Sequence, residues 1–366
     1  MRISDRYIAK QVLKGTLFAV LVLGMVLLLG NLFQKIKPLL VDQQAPLWLV
    51  LQFVLNVLPM SLMYTVPWGF LTAVLMVFGR LSSDQEITSF RVAGVSLARL
   101  SAPVFAIGVL LSIGSLWLNV TVVPNAKATT EQLVFNQATR DPDSLLKPGV
   151  VQGNLNGDKK DIQKILIDGK VGEWVEGFNF YQLPSDPSKD RTYVHADRAA
   201  LSIDKANSQL RLKLEGAYFE TLKANGQTDI AIAGRAEPLL IDLKNPKASK
   251  TRASLMTNRE IQAQVDSLEI SPKKKVRMRA EITKRYSFSM ACLAFAFIAV
   301  PLGIGVRRTD SSSGLVASLV IGAAYFIMTM LADQFKTDLG TSVMLWSPNV
   351  LCVLIGLLLF RRVRFR

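Results

Sequence analysis

Apolar residues in this chain gather into six long blocks, at roughly 15–34, 47–78, 100–123, 286–306, 314–332 and 347–360. A hydrocarbon layer about 30 Å thick needs about 20 apolar residues of helix to cross it, so blocks of this length predict membrane spans. The last is the shortest; it crosses if Trp346 and Arg361 anchor its two ends at the interfaces. The second is too long for one upright helix, too short for two, and contains Pro59 and Pro67. One long, tilted or kinked span fits it, and a re-entrant hairpin is the alternative.

Basic residues arbitrate, because a hairpin would change the parity of every later segment. With the N-terminus cytoplasmic, the cytoplasmic pieces carry Arg2, Arg6, Lys10 and Lys14, then Arg80, Arg91 and Arg99, then Arg307 and Arg308, then Arg361, Arg362, Arg364 and Arg366. The short opposite loops hold only Lys35, Lys37 and Lys336. This bias predicts six spans with both ends cytoplasmic. The first block exceeds a signal-peptide core and no small-x-small site follows it, so it reads as a retained helix. Cys292 and Cys352 both fall inside spans, which leaves the rest of the chain without a disulfide. The net charge of +15 lies largely at span ends, where anionic headgroups rather than nucleic acid are the natural partner.

Between about 124 and 272 the pattern changes to alternation of apolar and polar residues, as in half-buried strands. Strands are expected at 162–167, 177–183, 191–203, 209–222 and 230–243. Turn-formers separate them at Asn154 to Asp158, Pro184 to Pro187, Ala206 to Ser208 and Ala224 to Gly226, with no long helical pattern between. The expected fold is a membrane α-helical bundle of six transmembrane helices with an inserted all-β domain, a sandwich or open roll, on the non-cytoplasmic face. Such a domain can dock a partner sheet by edge pairing or hold an apolar ligand, or it can be a plain ectodomain.

No phosphate-cradling GxxxxGK[ST] is present, so any ATP is used by a partner. The lone His195 sits in a strand-like stretch, and no catalytic residue, metal site or cofactor is expected. The spans lack an array of ionisable groups such as an ion-coupled carrier needs, Asp333 at a span end being the nearest.

Two stretches stand out. In the loop Gly79 to Leu100, a short helix over about 83–94 is expected, with Ser83 as N-cap, Glu86 completing a capping box, Asp84 at the positive end and Gly94 at the exit. Ile87, Phe90 and Gly94 share one face, which either packs on neighbouring spans or is presented to a partner; local physics favours packing. The other stretch is basic: Lys273, Lys274, Lys275, Arg277, Arg279, Lys284 and Arg285 lead into the fourth span from the external side. Long translocated segments tolerate such charge, and it can also draw anionic headgroups or phosphates at the outer rim, with Lys35 and Lys37.

At this point the chain resembles the YjgP/YjgQ permeases, LptF and LptG of the lipopolysaccharide exporter. The likeness is carried by Tyr7 in DRYIAKQVL, by the block PWGFLTAVLMVFGRLSSDQEITSFRVAGVSLARLSAP, by AEITKRYSFSMACLAFAFIAVPLGI and by WSP at Trp346, and it runs end to end. The start looks more like LptG, and the RAEITKR with VPLG more like LptF.

The resemblance implies three parts: residues 1–123 with spans one to three and the coupling helix, a periplasmic β-jellyroll-like domain over 124–272, and 273–366 with spans four to six. It implies that the loop helix couples to a cytoplasmic ATPase dimer, LptB-like, and turns the preference toward a presented helix. Glu86 matches the family's acidic residue, with Asp84, Ile87, Phe90 and Arg91 around it. Further implied partners are a paralogous permease, periplasmic LptC- and LptA-like jellyrolls, and lipopolysaccharide or a similar lipid. Lys35, Lys37, Lys284 and Arg285 are then lipid contacts. The rivals are a mechanotransmission protein, against which six spans argue, and an ion-coupled flippase, against which the missing ionisable array argues.

Overall fold

In the computed structural model, the described residues are 3–37, 47–140, 148–153, 161–172, 174–184, 190–204, 209–224, 226–235, 239–242, 252–267, 271–305, 312–335 and 337–364. The expected turns at 154–158 and 206–208, most of that at 184–187, and Arg307 and Arg308 lie outside them. The chain forms two compact units, one of helices and one of sheet, the second containing Glu131–Lys250.

The helical unit contains α1 (Ile3–Lys37), α2 (Leu47–Ser83), the short α3 (Glu86–Val92) and α4 (Leu97–Trp117), which passes through a π-helical turn into α5 (Val123–Arg140), whose residues from Glu131 onward belong to the second unit. After the sheet come α6 (Asn258–Asp266), α7 (Pro272–Ser289), α8 (Ala291–Gly305), α9 (Ser312–Leu331) and α10 (Asp338–Arg364). Among the described residues, six helical stretches are long and apolar enough to cross a membrane: Ile3–Gly30, Leu51–Ser83, Leu97–Leu133, Pro272–Gly305, Gly314–Leu331 and Asp338–Val363. The second block is thus one continuous helix through Pro59 and Pro67, as read, and not a hairpin.

The helical core gathers around α2. Phe70, Leu71, Val74, Leu75 and Phe78 are fully buried there, packed with Ile8 and Val12 of α1, Leu100 and Val104 of α4 and a run of α8 from Ala291 to Val300. Lipid tails are as apolar as leucine, so close backbone approach at small residues has to supply much of the association. Gly303 is such a place, since a Cβ there would come 2.7 Å from the Cβ of Phe78. Both cysteines are buried and free.

Two regions depart from the expected pattern. The third span continues as helix for eighteen residues beyond Val122, into the stretch read as the start of the β insertion. The basic run before the fourth span is helix α7, which breaks at Met290 before α8. The break faces the π-helical turn: Asn119 donates to Ser289 Oγ at 2.9 Å, and the Leu293 N–H donates to Ser112 Oγ at 3.2 Å. The Ser112 hydroxyl thereby accepts from a backbone N–H that an apolar residue at its place would leave without that partner.

The sheet unit holds β1 (Gln152–Gly153), β2 (Asp161–Leu166), β3 (Gly169–Val171), β4 (Trp174–Pro184), β5 (Arg191–Asp204), β6 (Gln209–Leu222), β7 (Thr228–Arg235) and β8 (Leu239–Asp242). All pairs are antiparallel, in the meander order β1-β2-β4-β5-β6-β7, with β3 beside β4 and β8 beside β6. The single strand expected over 230–243 is two, both paired to β6.

A crease crosses this sheet. Buried residues are Val175 then Phe178 and Phe180 on β4, Val194 and Ala196 then Ala199 on β5, and Leu212 and Leu214 then Ala217 on β6. Each strand therefore skips from a spacing of two to a spacing of three at Gly177, Asp197 and Gly216, which the strand registers place side by side. Gly177 and Gly216 have φ of 62° and 64°, which reverses the alternation and turns both halves of every strand toward one apolar cluster.

Candidate functional site

The loop between α2 and α4 is the most constrained exposed part of the helical unit. The expected capping box is not what starts its helix: α2 runs through Ser83, and the N-cap is Gln85, whose side chain makes no cap hydrogen bond. Gln85 has φ of 59°, and it is the one non-glycine residue with positive φ among the described residues. A left-handed residue other than glycine costs roughly 1–2 kcal/mol, and such strain concentrates at functional turns. Here it lets the chain reverse within two residues, so that Glu86 opens α3 and its carboxylate sits at the helix's positive end.

The exit does follow expectation. Gly94 has φ of 81°, its N–H bonds Arg91 O at 3.0 Å, and Val95 N–H bonds Phe90 O at 2.9 Å. This is a Schellman closure, with Phe90 and Val95 both packed on the helical core.

One side-chain bond ties α3 to α1, and two more hold the end of α2 from which the loop departs. Tyr7 Oη of α1 donates to Glu86 Oε1 at 3.3 Å, and Arg80 Nη2 of α2 donates to Gln11 Oε1 of α1 at 2.7 Å. Ser82 Oγ donates to the Ile304 carbonyl of α8 at 3.0 Å. Ile87 is buried in the core and Phe90 half-buried against it, so the apolar face of α3 does pack on the bundle. The opposite face is open: Asp84, Thr88, Arg91 and Val92 are exposed, Val92 to 85%. α3 thus follows a strained residue, is tied to α1 by one side-chain bond, packs its apolar face on the bundle and leaves the other face uncovered.

Lys35 and Lys37 end α1, and their side chains lie outside the described residues. Lys284 is half-buried on α7. Arg285 is used differently from the expectation: it is 3% exposed, bonding Asn258 Oδ1 at 2.7 Å and the Ala253 carbonyl at 3.1 Å, with Glu281 Oε1 3.5 Å away. Its charge holds α6 against α7, where Met256, Ile261, Val265 and Met278 form a small core. His195 shares Asn179 Oδ1 with Tyr193 on the sheet, each at 2.9 Å. Among the described residues no three His, Cys, Asp or Glu side chains group as a metal site.

Sequence reasoning missed the polar set joining the fourth, fifth and sixth spans, where Asn349 donates to the Ser287 carbonyl and hydroxyl at 2.9 Å and accepts from Tyr325 at 3.1 Å. The signal was an amide inside an apolar block, which is costly to leave unpaired there, though less so than an isolated charge.

Six span-length helices with an inserted antiparallel β domain define a multi-pass membrane protein. The chain belongs to the family of lipopolysaccharide export system permeases LptF/LptG, whose model matches residues 6–362. It is similar to the lipopolysaccharide export system permease protein LptF of Escherichia coli strain K12 and to that of Shigella flexneri, 20% identical to each over 97% of this chain and 93% of theirs.

Proposed function

We propose that this chain is the permease half of an ABC-type exporter that lifts lipopolysaccharide, or a lipid like it, out of the inner membrane. Both termini and α3 lie on the cytoplasmic side, and the β domain over about 124–272 is periplasmic, between helical parts 1–123 and 273–366. A separate LptB-like ATPase dimer docks on the open face of α3, around Asp84, Arg91 and Val92. Its stroke reaches α1 through Glu86–Tyr7 and Gln11–Arg80, and α8 through Ser82–Ile304. A paralogous permease completes the lipid cavity, where Lys35, Lys37 and Lys284 meet the lipid's phosphates at the outer rim. The creased sheet then takes the acyl chains and hands them to LptC- and LptA-like sheets at its β7 edge, where Ile230 and Ile232 are exposed.

The observation that carries this reading is the open face of α3, tied to α1 by Tyr7–Glu86 beside two bonds that hold the end of α2. Its test is disulfide trapping from Val92→Cys in native membranes. An adduct with a cytoplasmic ATPase subunit is expected; an unmodified Val92→Cys that reacts freely with a soluble maleimide would contradict it.

A further inference from the structure

The fourth span breaks at Met290, where its own sequence asks for no break. From Ser287 to Leu293 the chain reads SFSMACL, without proline or glycine, and Met290 stands at φ −79° and ψ −5°, a short rotation from helix. A sharp kink without proline or glycine arises where a foreign side chain enters the helical ladder. Two do so here. In an unbroken helix the Leu293 N–H would bond the Ser289 carbonyl, and the Ala291 N–H the Ser287 carbonyl. Instead the Leu293 N–H donates to Ser112 Oγ of α4 at 3.2 Å, and the Ser287 carbonyl accepts from Asn349 Nδ2 of α10 at 2.9 Å. Tyr325 of α9 orients Asn349 by donating to its Oδ1 at 3.1 Å, and Asn119 of α4 donates to Ser289 Oγ at 2.9 Å. Asn119 Oδ1 is buried with no partner among the described residues, a cost that this arrangement carries.

α8 has 15 residues, which make about 22 Å of helix against a hydrocarbon core of about 30 Å. The last turns of α7 therefore complete the span, and the break lies within the bilayer, where irregular backbone persists only if side chains satisfy it. We propose that the break is a two-setting hinge. Pinned by Ser112 and Asn349, α7 and α8 stay separate; released, the ladder closes through Met290 and they become one straight helix. Ser112 and Asn349 are then positioning residues, and α7 is the lever they set. The lever is stiff, because Arg285 holds α6 along it, and in chain order it follows the sheet unit through α6. Its far half is kept on α10 by Arg279 and Asp338, a pair at 2.7 Å exposed enough to open at little cost. The hinge rests on α8 being a span; only the stroke that throws it is taken from the exporter reading.

The test is pulsed electron paramagnetic resonance on the full chain with its co-purifying subunits in nanodiscs, with spin labels on genetically encoded keto amino acids that leave Cys292 and Cys352 native. One pair spans the hinge, at Arg277 of α7 and Leu354 of α10, both exposed. A control pair, Leu110 of α4 and Leu354, stays within the bundle. Without nucleotide the native hinge pair should show one main distance. Ser112→Ala with Asn349→Leu should shift the population about tenfold toward a second distance, as the loss of one or two hydrogen bonds suggests. Tyr325→Phe, which keeps the ring and frees Asn349, should populate the same second distance to a smaller extent. The control pair should not move. A hinge pair unchanged in both variants, or a control pair that shifts with it, would overturn the proposal, since the network would then only pack the bundle. Vanadate-trapped ATP should drive the native protein to the second distance. A hinge that answers the substitutions and no nucleotide would support the proposal and count against the ATPase-driven reading instead.

Discussion

Tyr7 and Glu86 meet across 79 residues of sequence, the Tyr7 hydroxyl donating to the first residue of α3 at 3.3 Å. The bond joins the opening turns of the first span to the helix that strain at Gln85 sets in place. A hydrogen bond of this kind contributes about 1 kcal/mol, enough to bias a loop position and too little to determine whether the chain folds.

If Tyr7 and Glu86 act through this one bond, their effects do not add. Tyr7→Phe and Glu86→Ala should each reduce lipid-coupled ATP hydrolysis by the assembled transporter, Glu86→Ala more, and the double variant should be no worse than Glu86→Ala alone. A double-mutant cycle on that rate checks it, with an expected coupling of about 0.5–1 kcal/mol. Additive losses would show that Glu86 works without Tyr7.

The crease predicts an order among glycines. Gly216→Ala places a Cβ on the Asp197 carboxylate at a residue with φ of 64°, and Gly177→Ala does the same against Asp168. Each should destabilise the sheet unit by about 2–4 kcal/mol, strain and overlap together. Gly226→Ala has positive φ but open space around it, so about 1 kcal/mol is expected. Limited proteolysis of the full chain, followed at sites within 152–242, ranks the three.

Gly303→Val should be far more damaging than Gly24→Ala. The first drives a side chain into Phe78 and the α2 backbone at Gly79, and it shifts Ile304, which accepts from Ser82. The second meets nothing within 4 Å. A melting experiment in detergent should show a drop of several degrees for Gly303→Val and almost none for Gly24→Ala.

Arg285→Met removes the charge that bonds Asn258 and Ala253 and leaves Glu281 without its partner. Removing one partner of a buried pair costs about 3–5 kcal/mol, and the 22% exposure of the Glu281 side chain moves the expectation to the lower end. Faster protease cleavage within 253–266, with the spans unchanged, is the expected result. Arg285→Lys should recover only part, since a point charge cannot serve three acceptors on different sides.

How much of this was legible in the sequence follows from what each feature depends on. The six spans were legible because bilayer thickness fixes their length, and β2, β4, β5 and β6 fall near their expected places because a half-buried strand must alternate. The crease was hidden, because a step of three between Val175 and Phe178 reads as a break in the pattern until the registers line up with Gly216. Helices α6 and α7 were missed because Pro272 to Arg285 is too charged to resemble a span, and its Met278 and Ile282 pack with Met256, Ile261 and Val265 in a small core of their own. Ser83 was read as an N-cap from its spacing to Glu86, but α2 keeps its helical bonds through that residue and the reversal falls to Gln85. Arg285 was read as a lipid contact at the outer rim, and only the return of the chain through Asn258 gives it buried partners.

The most direct test of the whole account is to place a photoreactive benzoylphenylalanine at Phe219, which packs half-buried on the sheet's apolar cluster, in membranes containing the assembled transporter. A lipopolysaccharide adduct that forms only with hydrolysable ATP, and that Val92→Arg on the open face of α3 abolishes, is the predicted result. An adduct that is absent, or that forms equally without ATP, would contradict it.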